Sequence, residues 1–569
     1  MNNKESVSGS VSLLRSLIEE GTDTIFGYPG GAIIPVFDAL FDYKQKLRHV
    51  LVRHEQGAVH AAQGYARASG KVGVVLVTSG PGATNTITGI ADAMIDSTPL
   101  VVISGQVVSP LLGTDAFQEV DIVGIAQPVT KWSYQVRKAD EIAWAVAQAF
   151  YIAASGRPGP VLLDFTKDAQ VALTNHYYEK CTSIRSYVPV PKTDKDNVRK
   201  AAELINSAKK PFALIGQGVE IGKAEQELID FVEKAQIPAA WTLLGASVLP
   251  FDHPLNKGML GMHGNLAPNL KTNECDVLIA IGMRFDDRVI GDVNTYAKQA
   301  KIIHFDIDPA EVGKNVDIDI PVLGDVKKTL PAVTKLLKQA EHDDWIESFD
   351  IVNGEEYEKV IVNEIYCDKE YITMGEVARR VSEKTDNKAI IVTDVGQNQM
   401  MAARYTNRSY TRSFISSGGL GTMGFGLPAA IGAKIAKPDR TVCLFCGDGG
   451  IQMCIQELGT IMQSNVKVKI VVLNNRYLGM VRQWQEIFFN KRYSETPMLN
   501  PDFVKIAEAY RIKGRRVSKR DDLDEAIKEM LDHNGAYLLV VDVEKKGIVL
   551  PMIPAGMNAN NVILEKITF

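Results

Sequence analysis

Polar side chains follow two successive apolar runs in the last third of the sequence. Gly447-Asp448-Gly449-Gly450 ends the run that begins at Thr441, and Asn474-Asn475 ends the run that begins at Val468. Asp448 and Asn475 are 27 positions apart, which leaves room for one helix between two neighbouring parallel strands. The carboxyl ends of such strands converge at one edge of a sheet. Carboxylate and amide oxygens suit Mg²⁺, and glycines let backbone approach a diphosphate. Although either residue alone would serve as a helix cap, the pair predicts a metal-diphosphate site.

A second carboxylate opens a predicted helix in the first third. Glu55 follows the apolar run HVLV and precedes the small-residue stretch AVHAAQGYARASG. In a first helical turn such a carboxylate ordinarily interacts with the helix dipole, but a positioned carboxylate also serves acid-base chemistry. The turn-forming segments Tyr28–Gly31 and Thr78–Gly82 follow neighbouring runs. From the residues alone, both interpretations of Glu55 remain open.

Short apolar runs alternate with amphipathic helical stretches along the whole chain, which predicts an α/β fold. Runs that are apolar throughout and end in Gly, Asp, Asn or Ser are typical of parallel strands covered by helices on both faces. Ligands bind such sheets at the carboxyl ends of the strands. The predicted strands lie within 72–79, 99–105, 159–165, 211–216, 276–282, 301–308, 389–396, 441–449, 468–475 and 537–543.

Two stretches interrupt this alternation. Residues 187–197 contain two prolines and a charge cluster, and residues 343–359 are polar and acidic, so both are predicted to be linkers. The chain then divides into three doubly wound parallel-sheet domains, with expected boundaries 1–185, 190–345 and 365–569.

Composition excludes several classes of protein. With 569 residues, 46% hydrophobic and 23% charged, the chain is typical of globular proteins. A net charge of -5 argues against nucleic-acid binding. The uncharged stretch between Arg412 and Lys434 is rich in glycine, which suits a loop before a packed helix better than a membrane span. Six sparse cysteines indicate a reducing compartment. Because no secretory signal is visible, we expect a cytoplasmic protein without membrane partners.

The GDG motif followed by NN resembles the signature of thiamine-diphosphate enzymes, and the resemblance extends from end to end. It implies a pyrimidine-binding domain, a middle domain and a diphosphate-binding domain. Asp448, Asn475 and a backbone carbonyl near Tyr477 would hold Mg²⁺, and Met423 would keep the cofactor bent. Glu55 would hydrogen-bond a pyrimidine nitrogen and act as the proton relay. The implied thiamine diphosphate contacts are Tyr28, Pro81, Asn85, Gln106, Val395, Gly396, Gln397, Gly421, Met423, Gly447, Gly449, Gly450, Tyr477, Gly479 and Met480.

The middle third lacks a complete G-x-G-x-x-G motif. Its segments GMHG, RFDDR, IDPAEVGKN and Gly324-Asp325-Val326 resemble the FAD-binding domain of acetohydroxyacid synthase large subunits. Without that context, RFDDR reads as a solvated charged loop. Guanidinium groups would neutralise the flavin diphosphate, and acidic strand ends would bind ribose hydroxyls. The implied FAD residues are Arg157, Gly216, Gly218, Thr242, Leu243, Met262, His263, Gly282, Arg284, Asp286, Arg288, Asp306 and Asp325.

Three further segments, Gly105–Val107, Gly113–Glu119 and Asn475–Trp484, resemble the substrate channel of the same family. The resemblance implies substrate contacts from Gln118, Lys167, Arg288 and Trp484, with Met262 and Met480 also along the path. Arg288 would bind the carboxylate of the second keto acid, and Trp484 would favour 2-ketobutyrate over pyruvate. The chain departs from the family pattern at Val108–Pro110, Asn398 and Met401.

The resemblance implies a carboligase that releases carbon dioxide from pyruvate and condenses the remainder with pyruvate or 2-ketobutyrate. The products would be 2-acetolactate or 2-aceto-2-hydroxybutyrate, in branched-chain amino-acid biosynthesis. It also implies a homodimer or homotetramer with active sites shared between subunits, and a small regulatory subunit. The alternatives are a flavin-independent catabolic acetolactate synthase, a pyruvate oxidase, and a non-enzymatic regulator that binds cofactors at a degenerate site.

Overall fold

A computed structural model describes residues 6–565 of the chain. It contains three six-stranded sheets, each wholly parallel, and one two-stranded antiparallel sheet. Residues 1–5 and 566–569, the outer ends of the first and third predicted domains, lie outside the described residues. The three-sheet α/β architecture predicted from the sequence is confirmed.

The first sheet has the strand order β3-β2-β4-β5-β7-β6, and β1 pairs with β8 separately. The strands are β1 (Ser6–Ser8), β2 (Thr24–Gly27), β3 (Arg48–Leu51), β4 (Gly73–Val77), β5 (Leu100–Gln106), β6 (Trp132–Val136), β7 (Pro160–Thr166) and β8 (Leu173–Asn175). The helices are α1 (Gly9–Glu19), α2 (Ile34–Leu40), α3 (Glu55–Ser69), α4 (Pro81–Thr84), α5 (Ile87–Ile95), α6 (Ile122–Ala126), α7 (Ile142–Ala154) and α8 (Lys167–Val171).

The middle sheet has the order β11-β10-β9-β12-β13-β14. Its strands are β9 (Pro211–Ile215), β10 (Ala239–Trp241), β11 (Asn256–Met259), β12 (Val277–Ile281), β13 (Lys301–Asp306) and β14 (Ile320–Leu323). The helices of this part are α9 (Lys195–Ser207), α10 (Gly218–Ile221), α11 (Glu225–Lys234), α12 (Leu266–Thr272), α13 (Asp287–Ile290), α14 (Val326–Thr334), α15 (Asp343–Glu356) and α16 (Val362–Ile365).

The third sheet has the order β16-β15-β17-β18-β20-β19. Its strands are β15 (Ile390–Thr393), β16 (Phe414–Ile415), β17 (Val442–Gly447), β18 (Lys469–Asn474), β19 (Lys513–Val517) and β20 (Tyr537–Asp542). The helices are α17 (Met374–Lys384), α18 (Gln397–Tyr405), α19 (Gly426–Ala436), α20 (Asp448–Met453), α21 (Leu458–Ser464), α22 (Gly479–Phe488), α23 (Phe503–Ala509) and α24 (Leu523–Asp532).

All of the apolar runs predicted as strands form parallel strands. In β4 and β12 every residue is buried, as expected when helices cover both faces of a sheet. The uncharged stretch after Arg412 forms a loop that leads into the eleven-residue helix α19, as predicted. Over residues 6–565, no helix is long and apolar enough to span a membrane.

The second predicted linker is wrong. Residues 343–356 form the helix α15. Trp345 and Phe349, one turn apart, are buried against Phe212 of β9, and the ring centroids of Trp345 and Phe349 are 5.0 Å apart. Asp343, Asp344, Glu347, Asp350 and Glu355 are exposed, whereas Glu356 is buried. The acidic composition therefore did not reveal that one side of this helix is buried. Residues 188–194, within the first predicted linker, contain no helix or strand.

The connection between Asp448 and Asn475 also differs from the prediction of a single helix. The segment forms α20 and α21, separated by a break at Cys454, whose φ of -139° and ψ of 22° leave the helical region. A single 3₁₀ turn, Ile455–Glu457, joins the two helices. The break brings Glu457 against the first part of the chain.

Candidate active site and cofactor cavity

A cavity of about 820 Å³ opens at the carboxyl ends of the middle strands. Residues after β15 and on α22 close it from the third part of the chain, and residues after α5 and α7 close it from the first. The predicted thiamine contacts Val395, Gly396, Gly421 and Met480 and the predicted substrate contact Trp484 line it. So do all the predicted FAD residues: Arg157, Gly216, Gly218, Thr242, Leu243, Met262, His263, Gly282, Arg284, Asp286, Arg288, Asp306 and Asp325.

The glycines at the cavity floor bring two strand ends together. A Cβ on Gly216 would lie 2.1 Å from the carbonyl oxygen of Gly282. The N–H of Gly218 donates to that same oxygen at 3.0 Å, and Gly282 has a φ of +60°. The close approach seen here is therefore between backbone and backbone, and it fixes the shape of the floor between β9 and β12.

Three guanidinium groups lie in the cavity wall, each beside a carboxylate. Arg157 contacts Glu311 at 2.6 Å. Burial would raise the pKa of Glu311, but Arg157 and Lys314 outweigh it and lower that pKa. Arg284 lies 3.6 Å from Asp286, within the RFDDR loop. The third of these groups belongs to Arg288, which lies 3.6 Å from a carboxylate oxygen of Asp287.

His263 is a buried polar group with unused hydrogen-bonding capacity. Its Nδ1 is buried and has no hydrogen-bond partner among the described residues. Burial lowers the pKa of His263 to about 4, so the ring is neutral at neutral pH. Arg404 donates to the carbonyl of His263 at 3.1 Å and pairs with the buried Glu356. An aromatic, polar cavity with cationic groups and an unpartnered ring nitrogen fits a dinucleotide such as FAD.

The ends of β17 and β18 converge as predicted. The strands are paired in parallel, with Gly447 opposite Leu473. Asp448 is 1% exposed, and one of its carboxylate oxygens accepts from the N–H of Arg476 at 2.8 Å and from Asn500 at 2.5 Å. Burial raises the pKa of Asp448 to about 6, although these donors oppose the change. The carboxylate is held in place and lies beside the segment that carries Asn475.

The donor set around Asp448 fits Mg²⁺. Asn475 is buried, its Oδ1 accepts from the N–H of Tyr477 at 3.0 Å, and its Nδ2 donates to Gln397 at 3.3 Å. In residues 6–565 no Lys or Arg forms an ion pair with Asp448, and no cluster of three or more His, Cys, Asp or Glu residues occurs. One carboxylate with amide and carbonyl oxygens suits an ion that takes its remaining ligands from phosphate and water.

Glycines allow polar side chains to pack directly against the backbone beside this donor set. A Cβ on Gly479 would lie 2.2 Å from Oε1 of Gln397, and a Cβ on Gly450 would lie 2.4 Å from the carboxylate of Asp394. Asn398, next to Gln397, is buried with no partner for its Oδ1. The unpartnered amide oxygen of Asn398 can accept a hydrogen bond from a donor group of a bound molecule.

The predicted residues of the first part form a separate group. Glu55 is half-buried, and its Oε2 accepts from Nδ2 of Asn85 at 2.9 Å. Lys167 donates to the carbonyl of Gly31 at 3.2 Å, and Gln118 packs against Gly80. None of the predicted residues of this group lines the 820 Å³ cavity: Tyr28, Glu55, Pro81, Asn85, Gln106, Gln118 and Lys167.

Gln106 differs from its neighbours in this group. It is 1% exposed, and its Nε2 donates to the carbonyl of Val120 at 3.0 Å and to Asp164 at 3.1 Å. Its Oε1 accepts from the N–H of Val107 at 2.9 Å. The side chain is engaged inside the first sheet, so its assignment as a cofactor contact remains a prediction.

Sequence reasoning missed several carboxylates that shape the site. Asp394 is fully buried and accepts from the N–H groups of Val395, Gly424 and Gly426 at 2.8 to 3.1 Å. It holds the end of the glycine-rich segment that contains Met423. The sequence indicated Asp394 only by its position at the end of a predicted strand. Its partners Gly424 and Gly426 lie about 30 positions later, at no spacing that a sequence motif would reveal.

Asp92 and Asp96 of the first part hold the same segment from the other side. Asp92 accepts from Ser417 and Thr422 at 2.5 Å, and Asp96 accepts from the N–H of Gly419 at 2.7 Å. Burial raises the pKa of Asp96 to about 6, while the buried Arg67, 3.6 Å away, opposes the change. The wall shared by the cavity and the diphosphate site is thus built from two parts of the chain.

Comparisons with known proteins agree with this geometry. The thiamine pyrophosphate enzyme domains match in order: the N-terminal TPP binding domain over residues 7–125, the central domain over 198–333 and the C-terminal TPP binding domain over 394–541. Fold and site therefore define a thiamine-diphosphate-dependent enzyme.

Full-length relatives narrow the class. The acetolactate synthase isozyme 2 large subunit of Escherichia coli is 44% identical over 99% of the chain and all of that protein. The probable acetolactate synthase large subunit of Methanocaldococcus jannaschii is 45% identical over 98% of the chain and 95% of that protein. The acetolactate synthase large subunit of Lactococcus lactis is 44% identical, over 98% and 96% respectively. The chain belongs to the family of acetolactate synthase large subunits.

Proposed function

We propose that this chain condenses pyruvate with a second 2-keto acid, pyruvate or 2-ketobutyrate, as a step of branched-chain amino-acid biosynthesis. Thiamine-diphosphate-dependent condensation of pyruvate is the activity of the family to which it belongs. The observation that carries the proposal is the convergence of Asp448 and Asn475 at the ends of paired strands. A degenerate cofactor-binding regulator is not favoured, because these residues and Glu55 are all present.

Bound thiamine diphosphate supplies the electron sink for decarboxylation and carbon-carbon bond formation. Glu55 is the residue proposed to hold or release a proton at its carboxylate, and it would do so toward the pyrimidine part of the cofactor when that is bound. Asn85 orients that carboxylate by donating to Oε2, which leaves Oε1 for another partner. Asp448, Asn475 and the carbonyl of Tyr477 are the proposed ligands of Mg²⁺ on the diphosphate.

FAD is the proposed occupant of the 820 Å³ cavity. Its volume, the three guanidinium groups and the unpartnered Nδ1 of His263 support this assignment. The condensation involves no net oxidation or reduction, so the role proposed for FAD is structural. The cavity favours this assignment over the flavin-independent catabolic enzyme, and the family match favours it over pyruvate oxidase.

The second keto acid is proposed to bind between Arg288 and Trp484. Both line the cavity, and Trp484 is braced by Phe488, with ring centroids 5.2 Å apart. Gln118 and Lys167, the other proposed substrate contacts, belong to the first group of residues. Their separation from the cavity supports a homodimer or homotetramer in which a second copy completes each site. A small regulatory subunit is proposed because the relatives are named large subunits.

The test is an assay for acetolactate with purified protein, pyruvate, thiamine diphosphate and Mg²⁺, with and without FAD. We expect acetolactate only when both thiamine diphosphate and Mg²⁺ are present, with activity lost when FAD is stripped and restored when FAD returns. Omission of each cofactor in turn is the control. Absence of acetolactate under all conditions overturns the proposed reaction. Full activity after the flavin has been stripped supports the flavin-independent alternative instead.

A further inference from the structure

Glu457 is a fully buried carboxylate that reaches from the third part of the chain to the first. It lies at the break between α20 and α21, nine positions after Asp448. Its two oxygens accept from the backbone N–H of Arg53 at 3.1 and 3.2 Å. Thr460 on α21 donates to the same carboxylate at 2.6 Å and fixes its direction. A side chain of the third part therefore binds backbone two residues before Glu55.

The turn that contains Glu55 is braced from both sides. On its own side, His54 caps α3, since its Nδ1 accepts from the N–H of Gln56 at 3.2 Å. On the far side, a Cβ on Gly57 would lie 2.6 Å from Oε1 of Glu457, so glycine is what allows the carboxylate to approach. The backbone of residues 53–57 is thus fixed by contacts that do not involve the side chain of Glu55.

The side chain of Glu55 has few recorded contacts of its own that fix its direction. It is half-buried, and the hydrogen bond that the structure records for its carboxylate is the one from Asn85 at 2.9 Å. Because side chains occupy discrete staggered rotamers, the orientation of the turn that carries Glu55 determines the positions that its carboxylate can reach. A small rotation of the turn at Arg53 would move the carboxylate by a distance that matters for proton transfer.

We propose that Glu457 is a positioning residue for Glu55 and sets the orientation of the turn from which that carboxylate acts. The inference rests on the proposed proton-transfer role of Glu55. Glu457 does not line the 820 Å³ cavity, and it acts through the backbone of Arg53 and the space left by Gly57. This gives a function to a buried acidic residue that lies outside every motif found in the sequence.

Glu457→Gln tests the proposal, because it keeps the volume but replaces one of the two oxygens that accept from the N–H of Arg53 with an NH2 group that cannot accept. We expect kcat to fall about tenfold, with KM for pyruvate unchanged. Calorimetric binding of thiamine diphosphate with Mg²⁺ should be unchanged, and amide hydrogen exchange of residues 53–57 should quicken in the cofactor-free protein. Gln463→Ala is the matched control. It removes the 2.6 Å contact to the guanidinium of Arg53 but leaves the backbone bonds, and it should preserve kcat.

A double-mutant cycle with Glu55→Gln separates positioning from a merely structural role. Glu55→Gln alone should keep cofactor binding and lose most turnover. In that background, Glu457→Gln should cost nothing further, since the carboxylate that it positions is gone. An equal loss in both backgrounds, or no loss in either, overturns the inference. Full turnover of Glu55→Gln alone refutes the proton-transfer role instead. Glu457→Asp serves the same cycle if the Gln variant does not fold.

Discussion

Asp164 is a carboxylate buried at the centre of the first sheet, on β7. It has no exposed surface, and three donors surround it: Ser104 at 2.7 Å, Gln106 at 3.1 Å and Gln135 at 3.0 Å. Burial raises the pKa of Asp164 to about 6, against the opposing effect of these donors. Because the group has no exposed surface and one of its donors, Gln106, is a predicted cofactor contact, its titration is best followed through the stability of the fold.

The stability of the protein should depend on this titration. The folded state takes up the proton near pH 6, whereas the unfolded chain does so near pH 4. Between these values the folded state binds more protons, so the contribution of Asp164 to stability rises as the pH falls. From pH 7 to pH 5 this gain is about 1 kcal/mol. Asp164→Asn should remove this gain, so its thermal unfolding midpoint should rise less between pH 7 and pH 5 than that of the unmodified protein. Equal rises in both proteins would refute the raised pKa of Asp164.

At the scale of elements, the first and third sheets meet where α3 crosses α19. A Cβ on Gly432 would lie 1.8 Å from the carbonyl oxygen of Ala61, and one on Gly64 would lie 2.0 Å from that of Ala429. The backbones of the two helices therefore touch without intervening side chains. Because α3 begins at Glu55 and α19 follows the segment of Met423, the crossing fixes the relative position of these two segments within one chain.

Gly432→Ala should disrupt this crossing. The added methyl group meets backbone, which cannot rotate away, so the helices must separate at a cost of about 1–3 kcal/mol. The thermal unfolding midpoint should fall. Gly354→Ala, in α15, is the control, because nothing lies within 4 Å of its added Cβ. That substitution should leave the midpoint unchanged or raise it slightly, since alanine favours helix. A similar fall in both variants would show that loss of glycine, and not the crossing, is responsible.

For the molecule as a whole, the parallel strands and the convergence of Asp448 with Asn475 were predictable. They depend on local hydrophobic runs and on a chain separation that a sequence displays directly. The helix α15 was not predictable from composition, because its burial depends on Trp345 and Phe349 meeting a strand more than a hundred positions earlier. The role of Glu457 was hidden for the same reason, since its partner Arg53 is brought near only by the packing of two sheets.

Within one chain, the predicted site residues of the first part do not share the 820 Å³ cavity with those of the third. The group around Glu55 does not line the cavity, whereas Val395, Met480 and Trp484 do. In a symmetric dimer, a surface that one copy leaves incomplete is met by the corresponding surface of its partner. We therefore expect Glu55 of one copy to serve the site built on Asp448 of the other.

Mixing two inactive variants tests this arrangement. Glu55→Gln and Asp448→Asn each remove one half of every site, so each protein alone should be nearly inactive. In a mixed dimer, one site combines the intact Glu55 of one subunit with the intact Asp448 of the other, while the second site carries both changes. Purification through both tags retains only mixed dimers, each with one working site of two, so the specific activity should recover to about half that of the unmodified protein. The measurement is acetolactate formation after co-expression of the two variants with different affinity tags and purification through both. If each site instead lay within one chain, every subunit would carry a defect in its own site, and the mixed dimers would stay as inactive as the parents.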